Sequence, residues 1–227
     1  MYRTPSRRRV YRTVDDLLTD VEVRVLGSLI EKERTTPENY PLSLNALVNA
    51  CNQSSNRDPV VQYDESTVAE AIESLRRRSL VRAVQQAGSR VTKYRHLADE
   101  TIGLVARQTA ALCVLMLRGP QTLAELRTRG SRLAELESLE DVEAVLDALI
   151  AREPPIVVRL PRRPGQKELR YAHLLSGEVA VDAPEPAAPR SQPNADCIGT
   201  LEEALNELRN EVADLRQQLE TFRKQFE

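Results

Sequence analysis

The chain repeats itself, and the repeat limits what it can fold into. "PLSLNAL" (41–47) matches "PQTLAEL" (120–126) in its Pro, its Ser or Thr and both leucines. "VAEAIESL" (68–75) matches "VEAVLDAL" (142–149), which sets Val68, Ile72 and Leu75 against Val142, Leu146 and Leu149. "YRHL" (94–97) matches "YAHL" (171–174), and the only two histidines, His96 and His173, fall at the same place in it. Three matches in one order point to two copies of one module.

Each copy reads as three helices followed by two strands. In the first copy the apolar spacing predicts helices over about 20–33, 43–52 and 64–78. Thr19-Asp20-Val21-Glu22 has the form of a capping box, and Val21, Val25, Leu26, Leu29 and Ile30 recur at helical spacing behind it. "SLVRAVQQ" and "VTKYRHLA" alternate like strands around the turn "AGSR". The second copy predicts helices over about 100–117, 122–129 and 139–151, with boxes at Thr122–Glu125 and Ser138–Asp141. Its hairpin is "PIVVRL" and "ELRYAHL" around "PRRPGQK". Three helices and a hairpin is the order of a winged helix-turn-helix. The expected fold is therefore mainly α with small β-hairpin wings (α+β): one winged-helix domain over 19–99, a second over 100–175.

Three segments flank these copies. Residues 1–18 form a basic N-terminal arm with Arg3, Arg7, Arg8, Arg9 and Arg12. Residues 176–197 hold four of the thirteen prolines and read as a linker without its own core. Residues 198–227 carry a heptad seam, with Ile198, Leu205, Val212, Leu219 and Phe226 at a and Leu201, Leu208, Leu215 and Phe222 at d. In a parallel pair Glu211 at g would face Arg216 at e of the partner. The expected role of this coiled-coil helix is self-association, and the expected state is a dimer.

The formal net charge of −2 hides an uneven distribution. Residues 1–19 carry five Arg against two Asp, whereas residues 176–227 carry eleven acidic and five basic side chains. Aromatic content is low, with no Trp and two Phe, which disfavours stacking on single strands. Cys51, Cys113 and Cys197 are odd in number and lack a CxxC spacing, so a reducing, cytoplasmic compartment is expected. The longest apolar run, "AALCVLML" (110–117), is too short to cross a bilayer, and no apolar segment follows the basic start as in a secretory signal.

The stretch "LTDVEVRVLGSLIEKERTTPENYPLSLNALVNACNQSSNRDPVV" resembles the start of the bacterial YceH-like family, tandem winged-helix proteins of uncharacterised function. The resemblance runs over about 18–175, and "TTPENYPLSLNALVNACNQSSNRDPV" is its most specific part. It implies the fold and no reaction; DNA binding follows only by analogy with other winged helices.

Catalytic chemistry finds little support, and the chain is not expected to be an enzyme or to need a cofactor. His96 and His173 each sit in a strand without Cys or carboxylate partners at zinc-ligand spacing. Cys51 has no adjacent base, Cys113 lies on an apolar helix face, and "LRGPQT" is a helix stop, not a phosphate loop. Basic residues are more informative. Seven fall between Ser74 and Arg95 with no acid among them: Arg76, Arg77, Arg78, Arg82, Arg90, Lys93 and Arg95. The second hairpin adds Arg159, Arg162, Arg163, Lys167 and Arg170 against Glu168 alone. Such residues would hold double-stranded DNA by its phosphates. Opposing this, the third helices carry Asp64, Glu65, Glu70 and Glu73 in one copy and Glu140, Asp141, Glu143 and Asp147 in the other. A protein–protein adaptor without direct DNA reading is therefore the alternative to a DNA-binding regulator.

"NACNQSSNRDPV" (49–60) falls between the second and third helices of copy one. Leu47 and Val68 are 21 positions apart, but Leu126 and Val142 only 16, so the stretch holds most of a five-residue insertion. Its Asn, Ser and Asp can satisfy backbone groups in a turn. Asn52, Gln53, Asn56 and Arg57 could instead meet a base edge or a partner. The candidate nucleic-acid contacts are thus Asn52, Gln53, Asn56, Arg57, Arg76, Arg77, Arg78, Arg90, Lys93, Arg162, Arg163 and Lys167.

Overall fold

A computed structural model of the chain describes residues 17–85, 91–162 and 168–178. The basic arm up to residue 16, the linker from 179 and the heptad helix 198–227 lie outside the described residues. What is described is an α+β protein whose two halves share the order of three helices and two hairpin strands, the first half having one additional two-residue strand. The first half is α1 (Asp20–Thr35), β1 (Leu42–Ser43), α2 (Leu44–Cys51), α3 (Glu65–Arg77), β2 (Val81–Val84) and β3 (Lys93–His96). The second is α4 (Ala106–Arg118), α5 (Leu123–Gly130), α6 (Leu139–Ile150), β4 (Val157–Leu160) and β5 (Arg170–His173).

Every α-helix except α4 starts where a side-chain acceptor can satisfy one of its first amides; α4 follows Val105, which has none. Thr19 accepts from the Glu22 amide while Glu22 accepts from the Thr19 amide at 2.7 Å, completing the expected box. Thr122 and Ser138 complete the same box for α5 and α6, whereas Ser43 and Asp64 cap α2 and α3 by accepting from one amide each. The helix expected from residue 100 begins instead at Ala106. Residues Asp99–Gly103 form a separate π-turn, Gly103 takes a left-handed φ of 73°, and the following Leu104 is extended and buried. Asp99 accepts from the Thr109 hydroxyl at 2.5 Å, holding this turn against α4.

The sheets confirm the repeat to the residue. Strands pair in the order β1-β3-β2, antiparallel, with Leu42 opposite Tyr94 and Ser43 opposite Lys93. In the second half β4 pairs with β5, and an isolated bridge joins Gln121 to Tyr171. Leu42 and Gln121 are matched in the sequence repeat, as are Tyr94 and Tyr171. The two-residue β1 was not expected from the sequence.

One apolar core runs through both halves. Its centre is the contact of α1 with α4. Every residue of α1 from Glu22 to Glu31 is buried, and so is every residue of α4 from Thr109 to Leu117. Gly27 lets the two helices approach: a Cβ there would lie 2.9 Å from Leu117 Cδ2 and 3.3 Å from Met116 Cβ. Across the same contact the Cys113 thiol lies 3.4 Å from the Gly27 carbonyl oxygen, to which it donates. Burial raises the thiol pKa of Cys113 and pushes that of Cys51 up to about 11, so both remain protonated packing groups. The Leu18 amide donates to the Leu175 carbonyl at 2.8 Å, which ties the start of the described unit to its end.

Replacing Gly27 with Val should overpack this contact and cost about 1–3 kcal/mol, read as a lower midpoint in urea unfolding.

Candidate nucleic-acid interface

The Asn-rich turn is built from the inside. Arg57 is fully buried, its side chain 0% exposed. Its Nη2 donates to Glu31 Oε2 at 2.6 Å, to the Ala50 carbonyl at 2.8 Å and to Gln53 Oε1 at 3.1 Å. Nε and Nη1 donate to the Ala50 and Asn56 carbonyls. With the whole side chain out of solvent, the guanidinium does not face a base edge. Asn52 clamps Tyr63 from both sides, donating to its carbonyl and accepting from its amide, each at 2.8 Å. Asn56 adopts a left-handed φ of 60°, a conformation Asn tolerates, and its Oδ1 accepts from Arg118 of α4. The Asp58 amide donates to the Leu117 carbonyl at 2.9 Å. Of the four turn residues taken as possible readers, Arg57 is thereby turned inward, and Asn52, Gln53 and Asn56 are engaged in the scaffold.

The turn also explains its own extra length. Its residues reach from copy one onto α4 of copy two. Glu31, 5% exposed, receives Arg57 on one oxygen and Arg132, from beyond α5, on the other at 2.9 Å. A buried carboxylate is tolerable only when so paired. Arg24 donates to the Cys51 and Pro59 carbonyls at 3.2 and 2.6 Å, fixing both ends of the turn to α1.

The basic candidates divide sharply. In copy one, β2 and β3 have an inner and an outer face, because alternate residues point opposite ways. Val81 and His96 are buried, and Tyr94 packs on the core. The outer face carries Arg82, Val84, Lys93 and Arg95, with Arg82 directly opposite Arg95. Like charges so placed repel. Arg95 is relieved in part by Glu100 at 3.2 Å, while its buried Nε has no hydrogen-bond partner. Arg76 and Arg77 are exposed at the end of α3, Arg76 within 2.6 Å of Glu73. Arg78 folds back towards Glu22 at 3.7 Å. Arg90 lies outside the described residues.

Among the described residues, copy two does not repeat the cationic face. Arg159 lies 5.5 Å from the centre of the Tyr171 ring and 3.4 Å from Asp147. Arg170 donates to the Pro120 carbonyl at 2.7 Å and to Glu125 at 3.2 Å. Arg162 is exposed; Arg163 and Lys167 lie outside the described residues. The register puts Val158 and Ala172 where copy one has Arg82 and Arg95. Acidic side chains occupy the exposed faces of both third helices: Glu70 and Glu73 on α3, Glu140, Glu143 and Asp147 on α6.

The two histidines have diverged as well. His96 Nε2 lies 2.8 Å from Glu33, which holds the Glu33 carboxyl below its ordinary range, and the His96 amide donates to the Tyr40 hydroxyl. Among the described residues no acid hydrogen-bonds His173, its Nδ1 is buried without a partner, and desolvation, offset only in part by the charge of Asp20, pushes its pKa down to about 4. Among the described residues no group of three His, Cys, Asp or Glu side chains is placed to hold a metal ion, and no helix is long and apolar enough to cross a membrane.

A family profile described as "Protein of unknown function, DUF480" matches residues 18–166, through both repeats and into the second hairpin. The chain belongs to the DUF480 family. This bears out the resemblance carried by residues 18–175. The UPF0502 protein of Pelobacter propionicus is 51% identical over 217 residues, spanning 93% of this chain and 99% of its own. That of Geotalea daltonii is 52% identical over 219 residues, spanning 94% and 100%. That of Opitutus terrae is 54% identical over 172 residues, spanning 75% of each. Alignments that cover 93–94% of this DUF480 chain necessarily extend beyond residue 178, into the segment after the second repeat.

Two outcomes follow for this DUF480 protein. Arg57→Ala should cost about 3 kcal/mol in urea unfolding, because it takes one of two cations from a buried carboxylate. Because His173 is neutral in the fold and titrates near pH 6.5 when unfolded, stability should be full above that pH. It should fall as the pH drops towards 4, by on the order of 2–3 kcal/mol. His173→Leu should flatten that part of the stability–pH curve.

Proposed function

We propose that this DUF480 protein is a dimeric, duplex-DNA-binding regulator built from two tandem winged helices. The order α–β–α–α–β–β with a β1-β3-β2 sheet supports the winged-helix reading. One observation carries the DNA reading: Arg82, Lys93 and Arg95 share the outer face of the first hairpin, two of them directly opposed and calling for an anion between them. Arg76 and Arg77 continue the positive surface onto the end of α3. Contacts of this kind bind phosphates and supply affinity without sequence choice.

The acidic outer side of α3 argues against deep insertion of that helix into a major groove, so the hairpin is the main contact. The same acidic faces on α3 and α6 favour the second reading, an adaptor that binds a basic protein surface. Dimerisation rests on the heptad seam Ile198, Leu201, Leu205, Leu208, Val212, Leu215, Leu219 and Phe222.

Affinity for a mixed-sequence duplex, followed against salt, tests the proposal. The logarithm of the binding constant should fall linearly with the logarithm of salt concentration, and Arg82→Ala with Arg95→Ala should make the slope shallower by about two. No duplex binding at low salt rejects it. Light scattering should give a dimer mass for the full chain and a monomer mass for the chain without 198–227.

A further inference from the structure

The repeat allows each site in one half to be compared with its counterpart in the other, and one counterpart differs in a telling way. In copy two, the start of α5 holds an anion. Glu125, the third residue of the helix, swings its carboxylate back to accept from the Thr122 amide at 2.9 Å. The same Oε2 accepts from Arg170 of β5 at 3.2 Å. Thus a helix start and a strand cation grip one oxyanion between them.

Copy one has the same frame. Ser43 caps α2 as Thr122 caps α5, and Ser43 stands opposite Lys93 in the sheet. Tyr94 and Tyr171 are matched, so Lys93 and Arg170, each one residue before them, are matched as well. What is missing is the acid. The residue matched to Glu125 is Ala46, which has no carboxylate. Among the described residues Lys93 makes no ion pair. Arg95, on the same face of β3, pairs with Glu100 through Nη2 and keeps a buried Nε without an acceptor.

We propose that the start of α2 and Lys93 form a seat for one phosphate group of a nucleic-acid backbone, in the place that Glu125 fills internally in copy two. Lys93 supplies the charge, the first turn of α2 supplies amide donors, and Arg95 and Arg82 extend the positive surface to the neighbouring phosphates. Copy two, its seat already occupied by its own carboxylate, takes none. The proposal rests on the DNA-binding reading for its ligand, but the seat itself can be tested apart from it.

The decisive variant is Ala46→Glu in the full chain. It transplants the carboxylate of copy two, so it should complete a capping box and leave the thermal midpoint unchanged or raised. Asn49→Glu, one turn further along the exposed side of α2, adds the same charge beyond reach of the seat. Inorganic phosphate titrated into the unaltered protein should shift the NMR amide signals of Leu44, Asn45 and Lys93. In Ala46→Glu those shifts should vanish, and in Asn49→Glu they should persist. Against a duplex, Ala46→Glu should lower the salt slope by about one, and Asn49→Glu by clearly less. If phosphate shifts none of these amides in the unaltered protein, or if both variants weaken binding equally, the seat is overturned. Phosphate shifts without any duplex binding would leave the seat standing and reject the DNA-binding function.

Discussion

The carboxylate of Glu31 is the point on which the described unit turns. It is buried on α1, and it is held by Arg57 from the Asn-rich turn of copy one and by Arg132 from copy two. Taking a carboxylate out of water costs several kcal/mol unless cations and hydrogen bonds replace the lost solvation. The sequence meets that demand from two places far apart in the chain, Arg57 and Arg132. The result joins the halves through a polar contact of fixed geometry, beside an apolar contact of α1 and α4 that has no directional preference of its own. Hydrophobic burial supplies the adhesion. The ion pairs, with Asn56 on Arg118 and Asp58 on Leu117, supply the register.

That register bears on function through the sheets. Each half presents a hairpin, and a common core fixes the spacing of the two. Yet the faces they offer differ. One is cationic, with Arg82, Lys93 and Arg95 outward; the other sets Val158 and Ala172 in the matching places and ties Arg159 and Arg170 to Tyr171, Asp147 and Glu125. A duplicated module has kept its frame and changed its surface chemistry.

Much of the frame was legible in the sequence, because helix caps and the 3.6-residue period are local signals. Thr19, Thr122 and Ser138 announced their helices correctly. The break before Ala106 was not legible, since an apolar run gives no warning that Gly103 will turn left-handed. Strand β1 escaped because two residues cannot display alternation; its partner lies some fifty residues away in β3. The Asn-rich turn stands out by its extra length, but nothing in its sequence shows that Arg57, a candidate base or partner contact, turns inward. Its burial depends on Glu31, which sits on another helix among Leu29, Ile30 and other buried residues. Glu31 also opens the charged run Glu31-Lys32-Glu33-Arg34, so nothing local marks it as the buried member. The opposition of Arg82 to Arg95 depends on hairpin register, which a count of basic residues does not contain.

The hydrogen bond from Leu18 to Leu175 pins the residue just before α1 to the stretch just after β5. The described unit therefore closes on itself: fraying at one end removes a partner from the other, so its two ends open together rather than independently.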